Sequence, residues 1–409
     1  RPSNRAVAFI PGGPGQGATA FAPLLADAKF SRNLDALRDR YDIVLLDSRG
    51  MGESNPSNCV FYPAQSPQLY FRQLFPDMLV KSCRARVSAY SDLNQYRTVN
   101  AVDDLDDARA ALGYPKLVLN GGSYGTYFSL VYLRRHPKYV ESAVLSGVYA
   151  PHFQPVPGAP DGAQKALQDL VAKCRQDSAC RKHFPQFASH FASVIERFKR
   201  GPLSVPLKVG SRFVNVPLYA EVLVDRVRQA LYDPDNAATI PFVFERAYRS
   251  DYKPLGDLVN GMTLALARAL DYGAFLSYTC ADEVPFIKES AIREVAARSF
   301  VSDLRVRAQQ HACALWHVRP MPAAFDAVVR SNVPVLMIIG SDDPATPSKY
   351  SEQELPYLTH GFALVVSGAG HINEVPCTDS AMVAFVRSGG ERPKMRCAAS
   401  FRLPPFELK

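Results

Sequence analysis

The segment Leu119 to Leu130, LNGGSYGTYFSL, sets glycines two positions before and two positions after one serine. Gly121-Gly122-Ser123-Tyr124-Gly125 falls where the apolar run Lys116 to Asn120 ends and a helical pattern, Tyr124 to Arg135, begins. Glycine weakens the interior of a strand or a helix, so such density needs a local reason. A sharp strand-to-helix turn supplies it. The G-x-S-x-G elbow strains the serine backbone and pushes the hydroxyl into the open. Its small flanking residues keep strand and helix from colliding. Ser123 then stands at a helix N-terminus, where the amide of Tyr124 can stabilise a developing oxyanion.

A serine hydroxyl is a weak nucleophile until a base removes its proton. With such an elbow the partners are expected in the order Ser, Asp or Glu, His. GSDDPATP (Gly340 to Pro347) follows the apolar run Val333 to Gly340, placing Asp342 and Asp343 at the carboxyl end of a strand. GAGHI (Gly368 to Ile372) follows Phe362 to Gly368, and its small residues would let His371 approach the serine. Open α/β sheets gather their sites along that edge. The expected constellation is Ser123, Asp343 and His371. Asp343, as an Asp before Pro, could be only a turn residue, and Asp342 is the alternative carboxylate. His360 is the reserve histidine, and His136 and His152 follow Ser123 too soon. The loop Pro11 to Gly15 offers a second oxyanion amide, from Gly13 or else Gly12; on its own GGPG would read as a tight turn.

The elements that must position these residues alternate strand and helix, as in parallel α/β units. Ala6 to Ile10, Tyr41 to Asp47, Lys116 to Asn120 and Glu141 to Val148 read as strands, and Val99 to Leu112 as a helix. After residue 150 a proline-rich connector leads into a mainly helical stretch, with one hairpin within Pro202 to Leu218. Strand texture returns near residue 326, and a helix closes the chain near Ser380 to Arg387. The expected organisation is an α/β core of residues 1–150 and 326–409, interrupted by a helical cap of 151–325.

The 409 residues carry 47% hydrophobic and 21% charged side chains, which fits a globular chain with a sizeable core. The net charge of +8 is scattered, without the clustered basic block that nucleic-acid binding needs. No apolar run approaches the roughly 20 residues of a membrane span. The chain opens on Arg1 with a strand close behind, as expected of a processed or trimmed start. DSRGMGES (Asp47 to Ser54) lacks the lysine of a phosphate-binding loop, and Arg49 is expected to brace loops. Eight cysteines without C-x-x-C pairs point to disulfides in a secreted or periplasmic protein. Pairing within segments would join Cys59 with Cys83, Cys174 with Cys180, Cys280 with Cys313, and Cys377 with Cys397. His311, Cys313 and His317 match no common zinc spacing, and a structural role is expected of them.

These motifs together resemble the α/β-hydrolase fold, and within it the prolyl and tripeptidyl aminopeptidase family. The resemblance rests on GGPG (Gly12 to Gly15), DSRGMGES, GGSYGT (Gly121 to Thr126), DPATP (Asp343 to Pro347) and GAGH (Gly368 to His371). In the insertion, YTCADE (Tyr278 to Glu283) and CALW (Cys313 to Trp316) are similar to the cap of the secreted branch. Pro11 stands where many cytosolic members have His, and strands expected before Ala6 are absent. The resemblance implies a serine exopeptidase releasing N-terminal residues or short peptides, without metal or organic cofactor. Carboxylesterases share the fold, and so would a non-catalytic binding protein; a dehalogenase would need a carboxylate in place of Ser123. An aminopeptidase must hold a free amine with carboxylates. Asp282, Glu283 and Glu374 are the expected acids, each an ordinary surface residue in the blander reading.

Overall fold

The apolar runs of the sequence pair edge to edge in the computed structural model, which describes residues 3–27, 32–153, 159–372, 375–394 and 404–409. The first half supplies strands β1 (Ala6–Ile10), β2 (Asp42–Leu45), β3 (Leu117–Gly122) and β4 (Val140–Ser146). β5 (Leu203–Val209) and β6 (Arg212–Leu218) form a separate antiparallel hairpin. β7 (Val335–Gly340) and β8 (Gly361–Val366) return to the main sheet. Its order is β2-β1-β3-β4-β7-β8, with every pairing parallel.

Parallel strands are buried on both faces, which explains their continuous apolar runs. Val7, Val118, Val144 and Leu336 face one side, against Leu34, Leu37, Met382 and Phe385. Ala8, Leu119, Leu145 and Met337 face the other, in a core that continues through Val222, Leu276 and Trp316 of the insertion. Each large apolar side chain so buried contributes about 1.5–3 kcal/mol. The shared core therefore fixes the insertion firmly over the sheet.

Helices α1 (Asp77–Ser88), α2 (Thr98–Ala111) and α3 (Tyr124–Arg135) belong to the first half. The insertion contributes α4 (Pro160–Gln176), α5 (Ala220–Ala230), α6 (Tyr272–Asp282) and α7 (Leu304–Trp316), among others. α8 (Pro376–Arg387) packs on the sheet near the chain's end. It begins four residues earlier than the hydrophobic pattern implies, because Pro376 is preorganised for the first helical turn. β3 likewise runs past Asn120, since Gly121 and Gly122 keep register with Leu145 and Ser146. α1 has no counterpart in the sequence expectations. It is held by a disulfide from Cys83 to Cys59.

Cys174–Cys180 and Cys280–Cys313 are also bonded, giving three of the four expected pairings. The fourth involves Cys397, which lies outside the described residues. No helix among the described residues is long and apolar enough to cross a membrane.

Candidate active site

Ser123 caps α3 with φ 53° and ψ −119°, a conformation that L-residues rarely adopt. Its N–H donates to Ser146 O at 2.9 Å, and its carbonyl accepts from the N–H and hydroxyl of Thr126 at 2.8 and 2.6 Å. The flanking glycines have a steric reason. A methyl group at Gly125 would overlap the carbonyl oxygen of Ile10, and one at Gly121 would overlap that of Gly125. Strand, helix and β1 therefore cross too closely for any side chain at either position.

Beyond β1, the Pro11 to Gly15 loop bends over the serine. Gly12 comes close enough that a methyl there would lie 3.1 Å from Ser123 Cβ. Gly13 has φ 112°, and Gly12 and Gly13 both line the cavity that Ser123 faces. Asp47, in the loop after β2, holds the start of the helical turn that follows this segment. It accepts from the amide and hydroxyl of Thr19 at 2.8 and 2.6 Å and from the Glu53 amide at 2.9 Å. Arg49 grips Asp104 on α2 through two nitrogens, at 2.7 Å from Nε and 2.5 Å from Nη2. Tyr124, at the first position of α3, has an amide that the helix itself does not engage. Its side chain is buried, with the hydroxyl 2.7 Å from Thr98 Oγ1.

Asp343 and His371 approach from the ends of β7 and β8. Asp343 Oδ2 lies 2.8 Å from His371 Nδ1 and accepts the Thr346 hydroxyl at 2.6 Å. Its Oδ1 accepts the amides of Ala345 and Thr346 at 2.7 and 2.9 Å. Burial pushes this carboxyl up, but the His371 charge and these hydrogen bonds outweigh it and hold Asp343 below the usual range. Asp342 points elsewhere, to Lys173 on α4 and the Ser341 hydroxyl at 2.6 Å. The insertion steadies the histidine: His371 N–H donates to Tyr232 O at 2.7 Å, and the two rings lie 4.8 Å apart.

Ser123, His371 and Thr346 open on one cavity of about 430 Å³, roofed by the insertion. Of the three acids expected to face it, Glu283 lines it. Burial raises the Glu283 carboxyl to about 7, against a hydrogen bond from Tyr149 that favours its charge. Asp282 is instead engaged by Thr98, whose amide and hydroxyl donate to Oδ2 at 2.9 and 2.5 Å. Burial lifts it also to about 7. Glu374 lies outside the described residues.

The sequence agrees with this architecture. An alpha/beta hydrolase fold model matches residues 5–196, and a TAP-like protein model matches residues 298–397. The chain has the α/β-hydrolase fold with a TAP-like C-terminal part. Across 94% of its length the chain is similar to the serine protease Hip1 of Mycobacterium tuberculosis, at 24% identity over 430 residues and 78% of that protein. It also matches the tripeptidyl aminopeptidase of Streptomyces coelicolor, 32% identical over 161 residues, covering 36% of this chain and 28% of the relative. A proline iminopeptidase of Arabidopsis thaliana is 27% identical over 149 residues, with the same two coverages.

One part of the cavity has no counterpart in the sequence expectations. Arg226, Arg228 and Arg305 line it around a single buried carboxylate, Asp225. The guanidinium nitrogens lie 2.6, 2.9 and 3.3 Å from Asp225 oxygens. In sequence these arginines sit on helical stretches, where a charged residue is ordinarily solvated. The only available signal was the density of charge in AEVLVDRVRQA (Ala220 to Ala230).

Proposed function

We propose that this α/β hydrolase is a serine exopeptidase acting through an acyl-enzyme. Ser123 Oγ attacks the acyl carbonyl while His371 accepts its proton, and Asp343 orients and stabilises the resulting imidazolium. The amides of Tyr124 and Gly13 hold the oxyanion. His371 then protonates the leaving amine as the C–N bond breaks. A water molecule, deprotonated by His371, attacks the ester; the acid leaves, and the proton returns to Ser123. The carrying observation is the 2.8 Å Asp343–His371 contact, on a cavity shared with a serine at φ 53°.

Peptide substrates are favoured by the named activities of the relatives and by Glu283, a carboxyl placed in the covered cavity to receive a free amine. The three disulfides support an extracytoplasmic location. A panel of free-amino peptides, N-blocked peptides and short acyl esters tests the reading. Free-amino peptides should be cleaved with the highest kcat/KM. Activity on esters alone would make the protein a carboxylesterase, and absence of covalent labelling by a fluorophosphonate would remove the serine mechanism.

A further inference from the structure

Three guanidinium groups share one carboxylate on the insertion side of the cavity. Arg226 donates through Nη1 to Asp225 and Gln229 at 2.6 and 3.2 Å and through Nε to Thr263 at 2.8 Å. Its Nη2 is buried with no hydrogen-bond partner among the described residues. Arg228 donates to Asp225 through Nε and Nη2, at 3.2 and 2.9 Å, and to the Tyr232 hydroxyl. Arg305 Nε lies 3.3 Å from Asp225, and its Nη1 donates to Gln309 at 2.7 Å. All three side chains are nearly withdrawn from solvent, Arg305 the least at 11% exposed.

Two further acids border this wall. Glu221 accepts the Leu74 amide at 2.8 Å, and Glu283 lines the same cavity; burial raises both carboxyls. Three guanidinium groups share Asp225, and Arg226 Nη2 is left without an acceptor among the described residues. A buried guanidinium nitrogen without an acceptor is costly, so such a wall favours an anion. Guanidinium groups favour carboxylates, which can accept two parallel hydrogen bonds. The wall also communicates with the reacting groups, because Tyr232 receives a hydrogen bond from Arg228 and supplies the carbonyl that His371 N–H engages.

We propose that Arg226, Arg228 and Arg305 form a carboxylate subsite, and that the substrate carries a carboxylate across the cavity from its scissile bond. The inference rests on the hydrolase reading and narrows its substrate class to peptides that carry a free carboxylate at that distance from the scissile bond. The carboxylate has two sources. It is either an acidic side chain or the free C-terminus of a short peptide.

Two pairs of substrates separate these sources in the wild-type chain: peptides differing only by Glu against Gln, and short peptides with a free against an amidated C-terminus. One pair should show a kcat/KM preference of about ten-fold or more for the carboxylate, as expected for hydrogen bonds to a charged group. Arg305→Gln should abolish that preference, and Arg305→Lys should retain part of it. Flat ratios in both pairs, from an enzyme that cleaves them, overturn the subsite whether or not the variants fold. Should the wild-type protein hydrolyse none of them, thermal unfolding with glutarate against glutaramide decides. Stabilisation by glutarate alone keeps the subsite while the peptidase reading falls, and equal effects remove both.

Discussion

Ser123 owes its backbone strain to the elbow, and it contributes little packing there, so chemistry and stability should separate at this position. Ser123→Ala is expected to lower kcat by about 10⁴-fold or more with an unchanged melting temperature. Asp343→Asn should cost a similar amount, because an amide can hold the wrong imidazole tautomer. Asp342→Asn should cost less than about ten-fold, since Asp342 faces Lys173 instead of the histidine. Comparable losses for the two aspartates would displace Asp343 from its role. Glu283 supplies a pH signature of its own. Its carboxyl is raised to about 7, so it is neutral below that pH and charged above it. A free α-amine remains protonated up to about pH 8. KM for free-amino peptides should therefore fall as the pH rises through 7, while KM for N-blocked peptides does not follow. Glu283→Gln should erase the difference between the two profiles, and a difference that persists in the variant would exclude an amine contact.

At the scale of elements, the cavity depends on how α6 and α7 are held together. Cys280 on α6 and Cys313 on α7 are bonded across a separation of 33 residues. That bridge stands close in sequence to Glu283, just past the end of α6, and to Arg305 at the start of α7. Breaking it with Cys280→Ser and Cys313→Ser should cost about 2–4 kcal/mol of stability in denaturant unfolding. The same change frees the wall that carries Glu283 and Arg305, while β3, β7 and β8 still hold Ser123, Asp343 and His371. KM should rise several-fold with kcat little changed. A loss confined to kcat would show that the insertion acts on the reacting groups, through Tyr232, more than on binding.

For the whole molecule, the shared apolar core joins the insertion to one face of the sheet, whereas each described disulfide stays within its own segment. Non-reducing peptide mapping should recover Cys59–Cys83, Cys174–Cys180 and Cys280–Cys313, and a bridge from insertion to sheet would contradict this arrangement. The main-sheet strands and the elbow were legible in the sequence because their causes are local. Apolar runs of strand length, and glycines two residues either side of a serine, restrict backbone geometry without reference to distant residues. Parallel pairing then brings the ends of β1, β3, β7 and β8 to one edge, so Gly13, Ser123, Asp343 and His371 could be nominated from strand ends together with the elbow and the order of its partners, with Gly12 and Asp342 left as alternatives. What lies across the cavity was decided only by tertiary structure. Asp282 and Glu283 are neighbours in sequence, yet one is the last residue of α6 and bonds Thr98, while the other leaves the helix at φ −125° and reaches the cavity. Arg226 and Arg305 sit on separate helices and meet only because both converge on Asp225. A periodic pattern tells which face of a helix is buried, but the partner of a buried charge is set by which other helix packs against it.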